Sequence, residues 1–169
     1  AWRKLAVPDA LLVLVPRHPQ RFGAVAELLA REKISFGRRS EGLPGSETQV
    51  WLGDSMGEMA AYFTLADVAF IGGSLLPLGG QNLIEAAACG CPSVVGPHTF
   101  NFLQATADAI AAGAALRVDD ADGLAAAIGR VFGDSGELGA MRAAALSFAA
   151  AHRGATERTV ALIRSALTS

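Results

Sequence analysis

The chain has 169 residues, 51% of them hydrophobic, enough for one domain that buries roughly 70% of its unfolded surface. Its formal net charge is −2, so the total points neither to nucleic acid nor to an anionic membrane surface as a partner. The only cysteines, Cys89 and Cys91, are too few for a disulfide scaffold and match neither a zinc ribbon nor a C-x-x-C redox pair.

The distribution of charge says more than the sum. Eight of the 14 Lys and Arg residues lie within the first 39 positions and the other six from Arg117 onward. Between Ser40 and Leu116 there is none, so an anion held in that stretch depends on backbone N–H groups, neutral side chains or an Arg from the amino-terminal third. No uninterrupted apolar run approaches about 18 residues and no charged-then-apolar leader opens the chain, so neither a membrane span nor a signal peptide is visible. The cysteines read as small core residues in a reducing compartment.

In chain order, Ala1 to Val7 reads as the tail of a helix. Leu11 to Val15, a continuous apolar run between Pro8 and Pro16, predicts a central strand. Arg17 and His18 follow at its carboxyl end, where open parallel sheets bind ligands, although an ordinary solvated loop fits the same residues and fits His18 better. Phe22 to Arg31 has helical periodicity, Ile34 to Phe36 a brief strand character, and Gly37 to Thr48 the composition of a mobile surface loop. Gln49 to Leu52 resumes as a strand that stops at Gly53-Asp54-Ser55. Met56 to Leu65 predicts a helix with Asp54 or Ser55 as N-cap and Glu58 in its first turn, placed to reach back to the Ser55 backbone in a capping box. Met56 and Met59 also fit plain core positions.

Asp67 to Ile71 predicts a buried parallel strand ending at Gly72-Gly73, and Leu83 to Cys89 a short helix closed by Gly90. Between them Gly79 and Gly80 let the backbone approach a ligand and, with a helix beginning near Gly80, would leave its first N–H groups free for an anion. Gln81, Asn82 and Glu85 then share one face by their spacing, and the two oxygens of Glu85 suit a pair of vicinal hydroxyls such as those of a ribose. A plain βα turn with Glu85 as a solvated first-turn carboxylate stays open at this point. Ser93 to Val95 predicts another buried strand, ending at Gly96-Pro97-His98. A helix over Phe100 to Ala112, a strand over Ala115 to Val118, a helix capped by Asp119 or Asp120 that ends near Phe132, and closing helices over Glu137 to Ala151 and Thr156 to Leu167 complete the chain. Arg153, Arg158 and Arg164 read as solvated helix faces.

About six short strands alternating with helices give an α/β fold with a doubly wound, mainly parallel, Rossmann-like sheet flanked by helices. Arg17, Glu58, Ser74, Gln81, Asn82, Glu85 and His98 all fall just after strands, as one shared crevice requires. No His and carboxylate pair has metal-ligand spacing, and Ser74 sits in G-G-S-L rather than G-x-S-x-G.

RHPQRF at 17–22, GDSMGEM at 53–59, ADVAFIGGSLLPLGGQN at 66–82 and GPHTFNF at 96–102 together resemble the carboxyl-terminal, donor-binding half of a 3-deoxy-D-manno-octulosonic acid (Kdo) transferase. The resemblance is dense from about position 5 to 115 and loose beyond. It implies one half of a two-domain GT-B glycosyltransferase of lipid A and lipopolysaccharide synthesis, which moves Kdo from CMP-Kdo to a lipid A precursor with inversion and needs no metal or cofactor. Arg17 would meet the phosphate or the Kdo carboxylate, Met56, Gly57 and Glu58 the cytosine and ribose end, and Ser74, Gly79, Gly80, Gln81 and Asn82 the phosphate. Glu85 would hold the ribose hydroxyls, with His18 and His98 as further candidates.

The chain departs from the family pattern G-G-H-N-P-L-E-P, having GGQNLIEA instead, so Gln81 can donate a hydrogen bond but not carry a proton. The resemblance also places the first strand of this domain, the acceptor-binding domain and the general base in an amino-terminal portion absent here, which leaves no catalytic residue in this chain. It implies that the parent works at the cytoplasmic face of the bacterial inner membrane, reaching the membrane through that portion, while this fragment is soluble. The other readings are a UDP-sugar enzyme of the same fold, of epimerase or lipid-disaccharide synthase type, and a non-catalytic nucleotide-binding or interaction module.

Overall fold

A computed structural model describes residues 5, 7, 9–152, 160, 163 and 164. The expected helix tail over 1–7 and the last closing helix, with Arg153 and Arg158, lie outside these residues except at isolated positions. The elements run β1 (Leu12–Leu14), α1 (Phe22–Arg31), β2 (Phe36–Arg38), β3 (Val50–Leu52), α2 (Met59–Leu65), β4 (Ala69–Phe70), α3 (Ile84–Ala88), β5 (Ser93–Val95), α4 (Leu103–Ala111), β6 (Ala115–Arg117), α5 (Ala121–Gly133) and α6 (Ser135–His152).

All strand pairings are parallel, and helices connect most of the strands, which is the α/β class expected. The six strands form two ladders, β1-β3-β2 and β4-β5-β6, instead of one continuous sheet. β4 contributes only Ala69 and Phe70, a rung count that serves β5 and leaves no ladder to β1 or β3 among the described residues.

Position in each ladder explains which apolar runs are buried. β3 and β5 are the middle strands, and every residue of both is buried. Strands covered on both faces and paired on both sides read as continuous apolar runs, which is how VWL and SVV announce themselves. The run at Leu11 to Val15, expected to be central, is instead the outer strand β1; its residues are only partly buried, because no described strand pairs on its far side. Full burial of side chains such as Leu52, Val94 and Val95 contributes about 1.5–3 kcal/mol each.

The main core lies where α3, β5, α4 and α6 meet. Leu83, Ala87, Val95, Ala109, Ala115, Ala145, Phe148 and Ala149 are buried together there. Ala145 and Ala149 stand one turn apart, so α6 presents small side chains that permit close helix packing, as its alanine content suggested. α3 ends in a left-handed glycine: Gly90 has φ +71°, and the amides of Gly90 and Cys91 return to the carbonyls of Ala87 and Ala86. α5 opens as expected on Asp120, whose carboxylate accepts from the amides of Asp122 and Gly123.

The ends of β4 and β5 are tied by one residue. Ser74 is 0% exposed; its hydroxyl donates to the Ile71 carbonyl and accepts from the Gly96 amide at 2.8 Å, while its carbonyl accepts from the His98 amide at 2.9 Å. A Cβ on Gly96 would overlap the Ser74 carbonyl, so only glycine permits this approach. Ser74→Ala leaves the buried Gly96 amide without its acceptor and is expected to cost about 1–3 kcal/mol. Urea denaturation checks this; an unchanged midpoint contradicts the structural role.

Candidate functional site

A cleft of about 180 Å³ opens beyond the carboxyl end of β1 and against α2 and α3, lined by Val15, Pro16, Arg17, Ser55, Met56, Gly57, Glu58, Met59, Tyr62 and Glu85. Of the sequence-predicted site residues it unites Arg17, Met56, Gly57, Glu58 and Glu85. Ser74, Gly79, Gly80, Gln81, Asn82, His18 and His98 are outside its lining.

Arg17 follows β1 directly after Pro16, whose fixed φ turns the chain out of the strand. Its guanidinium is exposed and has no carboxylate within ion-pair distance among the described residues, so it remains available to an anion. His18 is exposed as well, and its carbonyl accepts from the Arg21 amide as a short 3-10 turn begins.

The opposite wall differs from the predicted helix start. Gly57 adopts φ +80°, a conformation that interrupts a helical path, and α2 begins at Met59. Met56 is therefore outside the helix and 62% exposed, which rules out the core reading. Glu58 occupies the N-cap position, and its carboxylate accepts from the Ser55 hydroxyl and from Arg39 Nη2 at 2.8 Å instead of reaching the Ser55 backbone. The Ser55 hydrogen bond, then Arg39, hold the Glu58 carboxyl below the usual carboxylate range against the opposing effect of desolvation.

That wall is braced from behind by a segment expected to be a mobile loop. β2 runs through Arg38, and a 3-10 turn covers Arg39–Glu41. Asp54, its side chain only 2% exposed, accepts from Arg38 Nε at 2.8 Å and from the Ser40 amide and hydroxyl at 2.8 and 2.7 Å. Burial by itself pushes the pKa of Asp54 up, but the Ser40 and Arg38 contacts outweigh it and keep the carboxyl below its ordinary value.

Tyr62, which the sequence reading passed over, completes the wall. It is buried, its hydroxyl lies 3.0 Å from Ser55 Oγ, and its ring packs edge-on against Trp51 with centroids 5.8 Å apart. Its spacing from Ser55 and Glu58, seven and four residues, was the available signal.

On the α3 side, the helix begins at Ile84, four residues past Gly80, so the glycine pair is not its first turn. Asn82 makes that start: its Oδ1 accepts from the Ile84 amide at 3.0 Å and its Nδ2 donates to Glu85 Oε1 at 3.1 Å, confirming that Asn82 and Glu85 share a face. Gly79 and Gly80 have φ +89° and +73°. Asn101 wraps them, its amide donating to the Gly79 carbonyl and its Nδ2 to the carbonyls of Leu78 and Gly80, and a Cβ on Gly79 would overlap the Asn101 side chain. The Gly80 amide is engaged with the Gly73 carbonyl at 3.2 Å and is not free for an anion. Gln81 is exposed beside this turn.

The basic-free stretch is broken spatially by Arg117. From the end of β6 it donates to the Pro97 carbonyl at 3.4 Å and the Thr99 hydroxyl at 3.5 Å, beside the half-buried His98. Cys91 is buried, and burial pushes its thiol up to about 12. Among the described residues no group of three or more His, Cys, Asp or Glu could hold a metal ion, and no helix is long and apolar enough to cross a membrane.

No protein-family model matches the chain. Among curated proteins, it is 50% identical over 159 residues to the 3-deoxy-D-manno-octulosonic acid transferase of Bordetella pertussis, covering 93% of this chain and 37% of that protein. It is 54% identical over 96 residues to the protein of the same name from Haemophilus influenzae, covering 56% of this chain and 22% of that one. A crystal structure of the C-terminal CMP-Kdo binding domain of WaaA from Acinetobacter baumannii matches with a TM-score of 0.76 and 36% identity, over 80% of this chain and 72% of that domain. The chain thus spans well under half the length of the curated relatives it matches. It belongs to the 3-deoxy-D-manno-octulosonic acid transferase family.

The Asp54 clamp has a signed pH dependence. A carboxyl depressed on folding contributes stability that is present above its unfolded value of about 3.9 and lost as pH falls through the lower folded value. Asp54→Asn should lower stability at pH 7 by about 1–3 kcal/mol and flatten the acid limb of the stability profile. Urea midpoints from pH 7 down to pH 3 check both; an unchanged midpoint at pH 7 contradicts the clamp.

Proposed function

We propose that the chain is the nucleotide-sugar (donor) binding domain of an inverting glycosyltransferase, one half of a GT-B fold, whose parent moves Kdo from CMP-Kdo to a lipid A precursor in lipopolysaccharide synthesis. The observation that carries this reading is the cleft itself. It joins an unpaired guanidinium, a loop with an exposed Met-Gly pair and a ribose-suited carboxylate beyond the carboxyl end of one parallel strand and at the starts of two helices, where α/β sheets take nucleotides. The solved neighbour that shares this fold is named for CMP-Kdo, and the donor is assigned from there.

In this reading Arg17 meets the donor phosphate or the Kdo carboxylate in a charge-assisted hydrogen bond. Met56 and Gly57 lie along the cytosine and ribose, where the open space at Gly57 admits a flat ring close to the backbone. Glu85 receives the ribose hydroxyls, its carboxylate already turned by Asn82. Gln81, exposed beside the Gly79-Gly80 turn, is the neutral donor assigned to the phosphate side, and the turn itself, closed by Gly73 and Asn101, supports it. Ser74 is left out of the donor contacts, since its hydroxyl is spent inside the scaffold.

Negative charge builds on the departing CMP in the transition state, and fixed donors aimed at it lower the barrier. That is the contribution assigned to this domain. Activation of the attacking hydroxyl, acceptor binding and attachment to the cytoplasmic face of the inner membrane are assigned to the remainder of the parent protein, and no metal or cofactor is assigned to the reaction.

Calorimetry with CMP, CDP and UDP tests the donor. CMP is expected to bind more tightly than UDP; the reverse order would assign the cleft to a UDP-sugar enzyme, and failure to bind any nucleotide would leave an interaction module. Glu85→Ala is expected to weaken CMP by about tenfold or more, the size of a lost hydrogen bond to a charged group, with a nearly unchanged urea midpoint because Glu85 is exposed. A large loss of stability with unaltered binding would make Glu85 structural.

A further inference from the structure

Three charged side chains line the cleft, the Arg17 guanidinium and the carboxylates of Glu58 and Glu85. Taken alone this lining is net negative, while the donor-binding reading on which the present inference rests requires it to accept a phosphate. An unshielded like charge a few ångströms from that phosphate opposes binding, and the effect grows where protein walls displace water.

Glu58 is not unshielded. Arg39 is absent from the lining and approaches from the β2 side, donating to Glu58 Oε1 at 2.8 Å, while the Ser55 hydroxyl donates to Oε2. Both oxygens of Glu58 are thereby occupied on the protein side. Glu85 keeps one oxygen, Oε2, without a protein partner among the described residues, so the two carboxylates that line the cleft are not equivalent: both oxygens of Glu58 are engaged by the protein and one of Glu85 is left open.

Arg39 has little freedom to leave. Its neighbours Arg38 and Ser40 are both bound to the buried Asp54, and its carbonyl accepts from the Gly42 amide at 3.2 Å. The backbone that carries the guanidinium is fixed on each side before any ligand arrives.

We infer that Arg39 is a positioning residue that neutralises Glu58 and holds its carboxylate back from the cleft, so that an anionic nucleotide meets a lining with no excess negative charge. The selectivity this creates is for the charged portion of the donor. Binding of the nucleoside portion depends on shape and on Glu85, and does not use the neutralisation.

Arg39→Met keeps the length of the side chain and removes its charge. Calorimetric titration of the chain with CMP and, separately, with cytidine is expected to show CMP weakened by about tenfold and cytidine changed by less than about twofold, with Arg39→Lys retaining most of the CMP affinity. An equal loss for CMP and cytidine would make Arg39 merely structural, and an unchanged CMP affinity would show that Glu58 needs no compensation; either result overturns the inference. The CMP affinity of the unsubstituted chain tests the donor assignment separately.

Discussion

Ser74 holds the β4-β5 half of the molecule in register. Its hydroxyl and carbonyl engage the chain on both sides of the β4 and β5 ends, so the loop after β4 and the loop after β5 are bound to each other. The second loop then folds Asn101 over Gly79 and Gly80, and the first delivers Asn82 to the start of α3. Glu85 stands where it does because of this sequence of ties. A buried polar side chain is costly when unsatisfied, and here nearly every group near Ser74 is paired, so the network specifies one arrangement of two irregular segments that have no ladder of their own.

The other wall solves the same problem with charge. Ser55 to Glu58 leaves β3 irregularly, passes through a left-handed glycine and receives no strand pairing. Two consecutive arginines, Arg38 at the end of β2 and Arg39 in the turn that follows, bind the carboxylates of Asp54 and Glu58. The Asp54 side chain is the more covered of the two carboxylates; the Glu58 contact is about a third open to water on both sides and correspondingly weaker as a source of stability. The weaker one stands at the ligand, where its electrostatic effect falls on the cleft.

Much of this was legible in the residues. Apolar runs of three to five residues marked β1, β3 and β5, the 3.6-residue period marked α1 with its observed ends, and Asp120 and Gly90 announced a helix start and a helix stop. Position after strands picked out Arg17, Glu58 and Glu85, which line the cleft, but equally Ser74, Gln81, Asn82 and His98, which do not. Two helix starts were displaced by local features that spacing cannot reveal: the positive φ of Gly57 delays α2 to Met59, and α3 starts at Ile84, whose amide donates to the Asn82 side chain. Gly37 to Thr48 looked unstructured because its order comes from ion pairs and hydrogen bonds with residues 14 to 19 positions away, which leave no periodic trace. Burial of Ser74 and the return of Arg117 to Pro97 are likewise products of topology.

The cleft is assembled from both ladders. Arg17 and the Met56 to Glu58 wall belong to the β1-β3-β2 group, whereas Glu85 rides on α3, the crossover that joins β4 to β5. No described backbone ladder joins the two groups, although α2 and α3 pack together. A nucleotide gripped by Arg17 at one end and Glu85 at the other would act as a non-covalent staple across that seam. Occupancy would then add a tie between the two ladders to the α2–α3 packing, and amide exchange would slow on both sides of the seam at once.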